Sequence, residues 1–283
     1  MTNIKKILKK VEHLQPLPSI IGKILDLSDD PDEGLENLVD LVKHEPAITA
    51  NLLRACNSAA MGLSIKIDSV QQAVSMLGSQ KVVELVLAQG LSSNLQRAQK
   101  GYRLGKGDLW KQSVATAMVA RTLAERRDLF NLPAIYTAAL LKDIGKVVLH
   151  EYVDHELDRI QDLVKKKGMS FAEAEEASIG MNHATLGGLI AKQWRFSDHM
   201  VYMIEHHHLD KAEARNDPAT ATLYLADMVS MMVGTGIGVD RLAYHVYEDI
   251  FDDYFLAKDE IKALMLTYQG FLRGVERLLG VPA

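Results

Sequence analysis

Residues 139–150 read ALLKDIGKVVLH: an apolar run, a polar knot at Lys142-Asp143, and a second apolar run after Gly145-Lys146. The stretch follows Leu132-Pro133, which predicts the start of the helix that carries it, since proline loses nothing in a first helical turn. Helical spacing extends in both directions. Upstream, Leu35, Leu38, Val39 and Val42 recur at helical intervals, and Glu45-Pro46 restarts the chain before Ile48, Leu52, Leu53 and Cys56. Ser69 with Gln72 reads as a capping box, Gly78 as a stop, and Ser79 as the cap of a helix through Leu91. Ser113 to Leu123 is rich in small residues and again helical. Downstream, Ser170 with Glu173 forms a second capping box, and Gly180 ends that helix. Asn182 is placed to cap a helix with His183 and Trp194, and Ser197 one running from Met200 to His208. Pro218 opens a helix holding Asp227, and Lys258 to Leu279 reads as a long final helix. Strand alternation is nearly absent, so the pattern predicts an all-α fold.

The segment QKGYRLGKGDLW holds three glycines and little apolar periodicity. It is the candidate boundary between two helical halves. The predicted organisation is residues 1–105 as an N-terminal helical half, 106–210 as a second half with the candidate site, and 211–283 as helices completing its core.

Composition bounds the class. The chain has 283 residues, 48% hydrophobic and 24% charged, which suits a globular protein with a sizeable core. The net charge of -5 gives no electrostatic case for nucleic acid. Cys56 is the single cysteine, which excludes an intramolecular disulfide and fits a reducing compartment. The basic start MTNIKKILKKVEHLQ is followed by no long apolar region, so neither a secretion signal nor a membrane span is expected, and a cytoplasmic location is.

Four features offer chemistry. Asp143 in KDIGK can ligate a divalent cation and orient water; it can equally end a helix and accept backbone hydrogen bonds, with Lys146 solvated. The run His206-His207-His208 offers imidazoles for a transition metal or for general-base catalysis. Successive helical side chains diverge by about 100°, so all three cannot face one ion, although two can near a frayed helix end; a solvated helix end is the other reading. Asp227 lies in an apolar helical stretch, where a carboxylate needs a cation or a hydrogen-bond partner. The fourth, GTGIG at Gly234 to Gly238, follows a helix rather than a strand, which discards a dinucleotide loop. Gly145-Lys146 lacks the glycine-rich loop of a nucleotide triphosphatase, and Cys56 has no histidine partner in view.

A longer series of blocks carries a resemblance. LQPLPSIIGKILDLSDDPDEG with its paired prolines, EPAITANLLRACNSA, AVSMLG, LWKQSVATAMVA, AALLKDIGKVVL, HATLGGLIAKQW and the histidine pair resemble the HDOD family over roughly Leu14 to His208. The resemblance implies a helical bacterial signalling module related to HD-type phosphohydrolases, generally non-catalytic, acting through protein partners or attached output domains. No output domain is apparent beyond His208, where the sequence reads as further helix.

The related HD enzymes build their site from a first His, a His-Asp pair, later histidines and a late Asp. The resemblance places Gln112 at the first His and Lys142 at the His of the pair. Asp143 matches the pair's Asp, His183 a later His, and His207 with His208 the His pair, with a shift by one to His206 left open. Asp227 matches the late Asp. Gln112 is a poor transition-metal ligand. Lys142 brings a cation to a place where an imidazole held a metal, and a unit charge about 4 Å from a divalent ion repels it by several kcal/mol at moderate dielectric. If Lys142 points inward, it can pair with Asp143 or Asp227 and replace the metal. If it points outward, a weak site from Asp143, His183, His207, His208 and Asp227 survives.

The expectation is therefore a regulatory module with no cofactor and no catalytic residue, bound by a regulatory protein, without nucleic acid or membrane. The alternative is a phosphohydrolase of nucleotides or cyclic dinucleotides that uses Asp143 and Lys146 with Fe, Mn, Mg or Ni. A third reading keeps the pocket as a nucleotide sensor. The junction at residues 100–108 has two readings: a site where a partner or small ligand binds across both halves near the candidate site, or a plain connector in a rigid two-lobed domain.

Overall fold

A computed structural model describes residues 2–12, 14, 21, 23–24, 34–58, 61–63, 65–234, 238–242, 245–253 and 258–279. Among them the chain is helical, with no strand beyond an isolated bridge between Gln99 and Leu104. The paired prolines Pro16 and Pro18, the Asp30-Pro31 turn and most of GTGIG lie outside the described residues.

The helices begin and end where local chemistry directs. After α1 (Thr2–Glu12), α2 (Gly34–Lys43) and α3 (Pro46–Cys56), the Ser69 hydroxyl accepts from the Gln72 N–H to start α4 (Val70–Leu77). Gly78 ends α4 at φ 81°. The next helix, α5 (Ser79–Leu95), begins at Ser79 itself and runs past the predicted Leu91. A short 3-10 turn at Lys100–Tyr102 leads to α6 (Asp108–Arg126). Asn131 caps α7 (Leu132–Leu141) by accepting from the Ala134 N–H. The Ser170–Glu173 box is formed in full at α9 (Phe171–Ile179), which Gly180 closes at φ 90°. Asn182 caps α10 (His183–Gln193), with Trp194 as its C-cap rather than inside it, and Ser197 caps α11 (Asp198–Glu205). Each such N-cap contributes about 1 kcal/mol. A single turn, α12 (Ala212–Arg215), precedes α13 (Pro218–Val233), which Asp217 caps through the Thr220 N–H. Last come α14 (Glu248–Asp253) and α15 (Lys258–Leu279).

The centre of the fold is α6, packed by α7, α13 and α15. Its small residues Ala115, Ala117, Ala120 and Ala124 are fully or nearly buried and let neighbouring helices come close. The first half packs α3, α4 and α5 together, and α5 meets both α6 and α7. The first helix, α1, lies against α8 (Lys146–Lys167), where Lys10 pairs with Glu151. No described helix is long and apolar enough to cross a membrane.

Two departures from the expected helices shape the site. The stretch at residues 139–150 is not one helix: α7 ends at Leu141, a turn spans residues 142–145, and α8 starts at Lys146. From this turn Lys142, Asp143 and Lys146 all point inward. Gly145 sits in it because a Cβ there would come 2.0 Å from the His183 carbonyl oxygen. Helix α11 also stops early, at Glu205, so the three histidines lie in a turn.

Candidate functional site: a lysine-filled carboxylate centre

The turn between α7 and α8 delivers two ammonium groups to one carboxylate. Lys142, Asp143 and Lys146 are all at most 1% exposed. Lys142 Nζ donates to Asp143 Oδ2 and lies 2.6 Å from Asp227 Oδ1 of α13. Lys146 Nζ lies 2.8 Å from Asp143 Oδ1 and 2.7 Å from Asp240 Oδ2. Two lysines thus bridge three buried aspartates. Lys142 points inward and pairs with both Asp143 and Asp227. The solvated reading of Lys146 is overturned, and Asp143 is held by ammonium groups rather than by helix-end amides.

Electrostatics follow from the pairing. Burial pushes the Asp143 carboxyl up, but Lys142 and then Lys146 outweigh it, and the group sits well below the usual carboxylate range. Burial likewise pulls the Lys142 ammonium down, and Asp143 and Asp227 more than reverse it, leaving it raised. Lys146 is raised by Asp143 and Asp240 against the same burial cost. All three groups stay ionised at neutral pH.

An imidazole group stands beside the lysines. His183 Nδ1 lies 2.6 Å from Glu175 Oε2, and the His183 backbone N–H donates to the same oxygen at 3.0 Å. The Tyr102 hydroxyl donates to Glu175 Oε1 at 2.5 Å. His183 Nε2 faces Asp143 Oδ1 at 3.5 Å and His208 Nε2 at 2.9 Å. His207 Nδ1 lies 2.8 Å from the Ile204 carbonyl, so that nitrogen carries the proton and Nε2 keeps a lone pair; Nε2 has no hydrogen-bond partner. Burial, aided for His207 by Lys142, holds the His207 and His208 imidazoles well below their usual pKa. They are neutral at pH 7. One ligand nitrogen from each of His183, His207 and His208 lies within 4.8 Å of the others. His206 turns away, to Asp210 at 3.0 Å and Lys211 at 3.2 Å, so the shift by one residue does not occur. Gln112 is buried and donates to Ser230, whose hydroxyl donates to Tyr268 of α15.

Three members were not found from sequence. Glu175 sits in AEAEEASI, where nothing separates it from its solvated neighbours. Tyr102 lies in the glycine-bearing junction, and Asp240 follows GTGIG with no periodic signal. Only chain folding brings them to His183 and Lys146.

The HD pattern implies a divalent metal, and the residues present do not fit one. Both oxygens of Asp143 already face ammonium groups, as does one oxygen of Asp227. A divalent ion 4 Å from one ammonium meets a repulsion of about 8 kcal/mol at an effective dielectric of 20. The imidazole half keeps a ligand-like arrangement; the carboxylate half is taken.

A pocket of about 700 Å3 opens beside His183 and His208. Among the described residues its lining includes the carboxylates of Glu173, Glu176, Glu205, Asp210 and Asp240 against the single guanidinium of Arg215, which stacks on Tyr247. Its field disfavours a phosphate.

Among the described residues the geometry is that of an all-helical module with an inward Lys-Asp pair facing a histidine cluster. Residues 14–209 match the HDOD domain model, and the chain belongs to the HDOD family. The crystal structure of an HDOD domain protein from Geobacter sulfurreducens superposes with a TM-score of 0.70 at 22% identity, covering 99% of this chain and 93% of that one. A candidate phosphohydrolase from Shewanella amazonensis SB2B gives 0.67 at 21% identity, covering 96% and 97%. A candidate signal transduction protein from Marinobacter aquaeolei VT8 gives 0.70 at 21% identity, covering 95% and 59%. A protein of Treponema pallidum (strain Nichols) is 24% identical over 221 residues, which is 77% of this chain and 42% of that protein. The chain thus spans about two fifths of that relative's length. At these identities the likeness shows the fold.

Proposed function

We propose that this chain is a non-catalytic cytoplasmic regulatory module of bacterial signalling, acting by binding a protein partner. The observation that carries the proposal is the Lys142 ammonium bridging Asp143 and Asp227. It supplies the positive charge a metal would supply, but it offers no open coordination position and cannot lower the pKa of a bound water. The acid-lined pocket beside it favours a basic protein surface over a nucleotide. The junction at residues 100–108, apart from the pocket, is the proposed second contact, where exposed Lys100, Arg103 and Lys106 would meet acidic groups of the same partner. The junction's Tyr102 touches Glu175, and Glu175 holds His183, so a partner seated there would reach the old site through two hydrogen bonds.

A second reading, a metal-dependent phosphohydrolase, is favoured by one feature: His183, His207 and His208 keep their nitrogens close together, and His207 Nε2 has no hydrogen-bond partner among the described residues. The test is elemental analysis of the purified chain beside hydrolysis of bis(p-nitrophenyl) phosphate with added Mn. The expected result is far less than one Fe, Mn or Zn per chain and no turnover above buffer. About one or two tightly held ions per chain with turnover would reverse the assignment.

A further inference from the structure

A second cavity, of about 300 Å3, lies among α5, α6, α7 and α15 and shares no lining residue with the lysine centre. Its walls are apolar: Leu85 and Ala88 from α5, Val114 and Met118 from α6, and Phe271 from α15. Gly270 and Gly274, one turn apart on α15, form another side, and a Cβ at either would meet nothing within 4 Å. Glycine inside a helix is disfavoured relative to alanine, so α15 keeps space there at a cost to its own stability.

Two polar features mark one end. Glu84 is buried and held by Lys81 at 3.0 Å and by Arg121, so its charge is satisfied. Tyr136 is 2% exposed and lines the cavity, and its hydroxyl is not fully enclosed but open to the cavity. Burial and the Glu84 carboxylate hold this phenol protonated, so it is available as a donor.

We infer that this cavity is a binding site for a small, largely apolar molecule that carries one hydrogen-bond acceptor for the Tyr136 hydroxyl. The volume is at the small end of the range for organic ligands. It would hold a substituted ring, not a nucleotide. Because α5 precedes the junction and α6 follows it, an occupant would fasten helices from both sides of residues 100–108 to α15.

The test uses acetophenone, which has a ring and a carbonyl acceptor, with ethylbenzene as its counterpart lacking the acceptor. Binding to the intact chain is followed by ligand-observed NMR and by thermal shift. Tyr136→Phe keeps the cavity and removes the donor. Gly274→Leu fills the recess and should raise the melting temperature, so lost binding cannot be blamed on unfolding. The expected result is saturable acetophenone binding in the parent, about five- to tenfold weaker in Tyr136→Phe and absent in Gly274→Leu, with ethylbenzene indifferent to Tyr136→Phe. No saturable binding at low millimolar probe, binding that survives Gly274→Leu, or equal acetophenone affinity in Tyr136→Phe would overturn the inference.

Discussion

Replacing Lys142 with methionine is expected to destabilise the protein by about 3–5 kcal/mol at pH 7. Methionine preserves much of the side-chain volume and removes only the ammonium. Asp143 would keep Lys146, but Asp227 would lose the ammonium it pairs with among the described residues, in a site with 1% exposure. Breaking a buried pair from one side is far more damaging than removing the pair. The double change Lys142→Met with Asp227→Leu is therefore expected to recover most of the loss, because both charges then go together. For a chain of this size the single change should lower the melting temperature by about 10 °C. Calorimetry of parent, single and double variants checks the cycle. A Lys142→Met variant that melts within a degree or two of the parent would show that the ammonium does not hold the carboxylates.

Acidification from pH 7 to pH 5 is expected to cost the parent up to about 2 kcal/mol for each of His207 and His208. His207 is buried and His208 half-buried at the pocket wall, and both are neutral in the folded chain, held well below the ordinary imidazole pKa, so His208 contributes the smaller share of the two. The unfolded chain protonates them near pH 6.5, so it binds more protons than the folded one below that pH. Stability is thus fully present above about pH 6.5 and is lost as pH falls below it. Asp143 acts in a different window. Its depressed pKa contributes stability above about pH 4 that is lost only on further acidification. His150, lowered by partial burial, adds a smaller share to the histidine window. Urea unfolding at pH 7, 6 and 5 reads the slope, and His207→Gln with His208→Gln should flatten it. Unchanged stability across that range in the parent would contradict the buried neutral pair.

The helix ends were legible because caps are local. Ser170 with Glu173, Asn182 and Ser197 each act over three residues, and the structure forms every one. The blocks that resemble the HD pattern also singled out Asp143, His183 and Asp227, which the fold brings together around Lys142, while Gln112 bonds Ser230 instead. What they do together was not legible. Lys142 could point either way from sequence alone, because its direction depends on the turn at residues 142–145 and on Asp227, which lies 85 residues further along the chain. His207 and His208 converge on His183 only because α11 stops at Glu205; continued helix would have spread them by about 100°. Asp240 and Glu175 look like ordinary surface acids until α8 and α10 bring Lys146 and His183 to them.

The central claim is that Lys142 occupies the charge position of a metal. Its most direct test is calorimetric titration of Mn into the parent and into the Gln112→His, Lys142→His double variant. That change returns two neutral nitrogen ligands and removes one buried cation. The account predicts no measurable Mn binding by the parent and clear saturable binding by the double variant, whether or not hydrolysis returns, since the groups that orient the ligands have their own requirements. Tight stoichiometric binding by the parent, or no gain in the double variant, would contradict it.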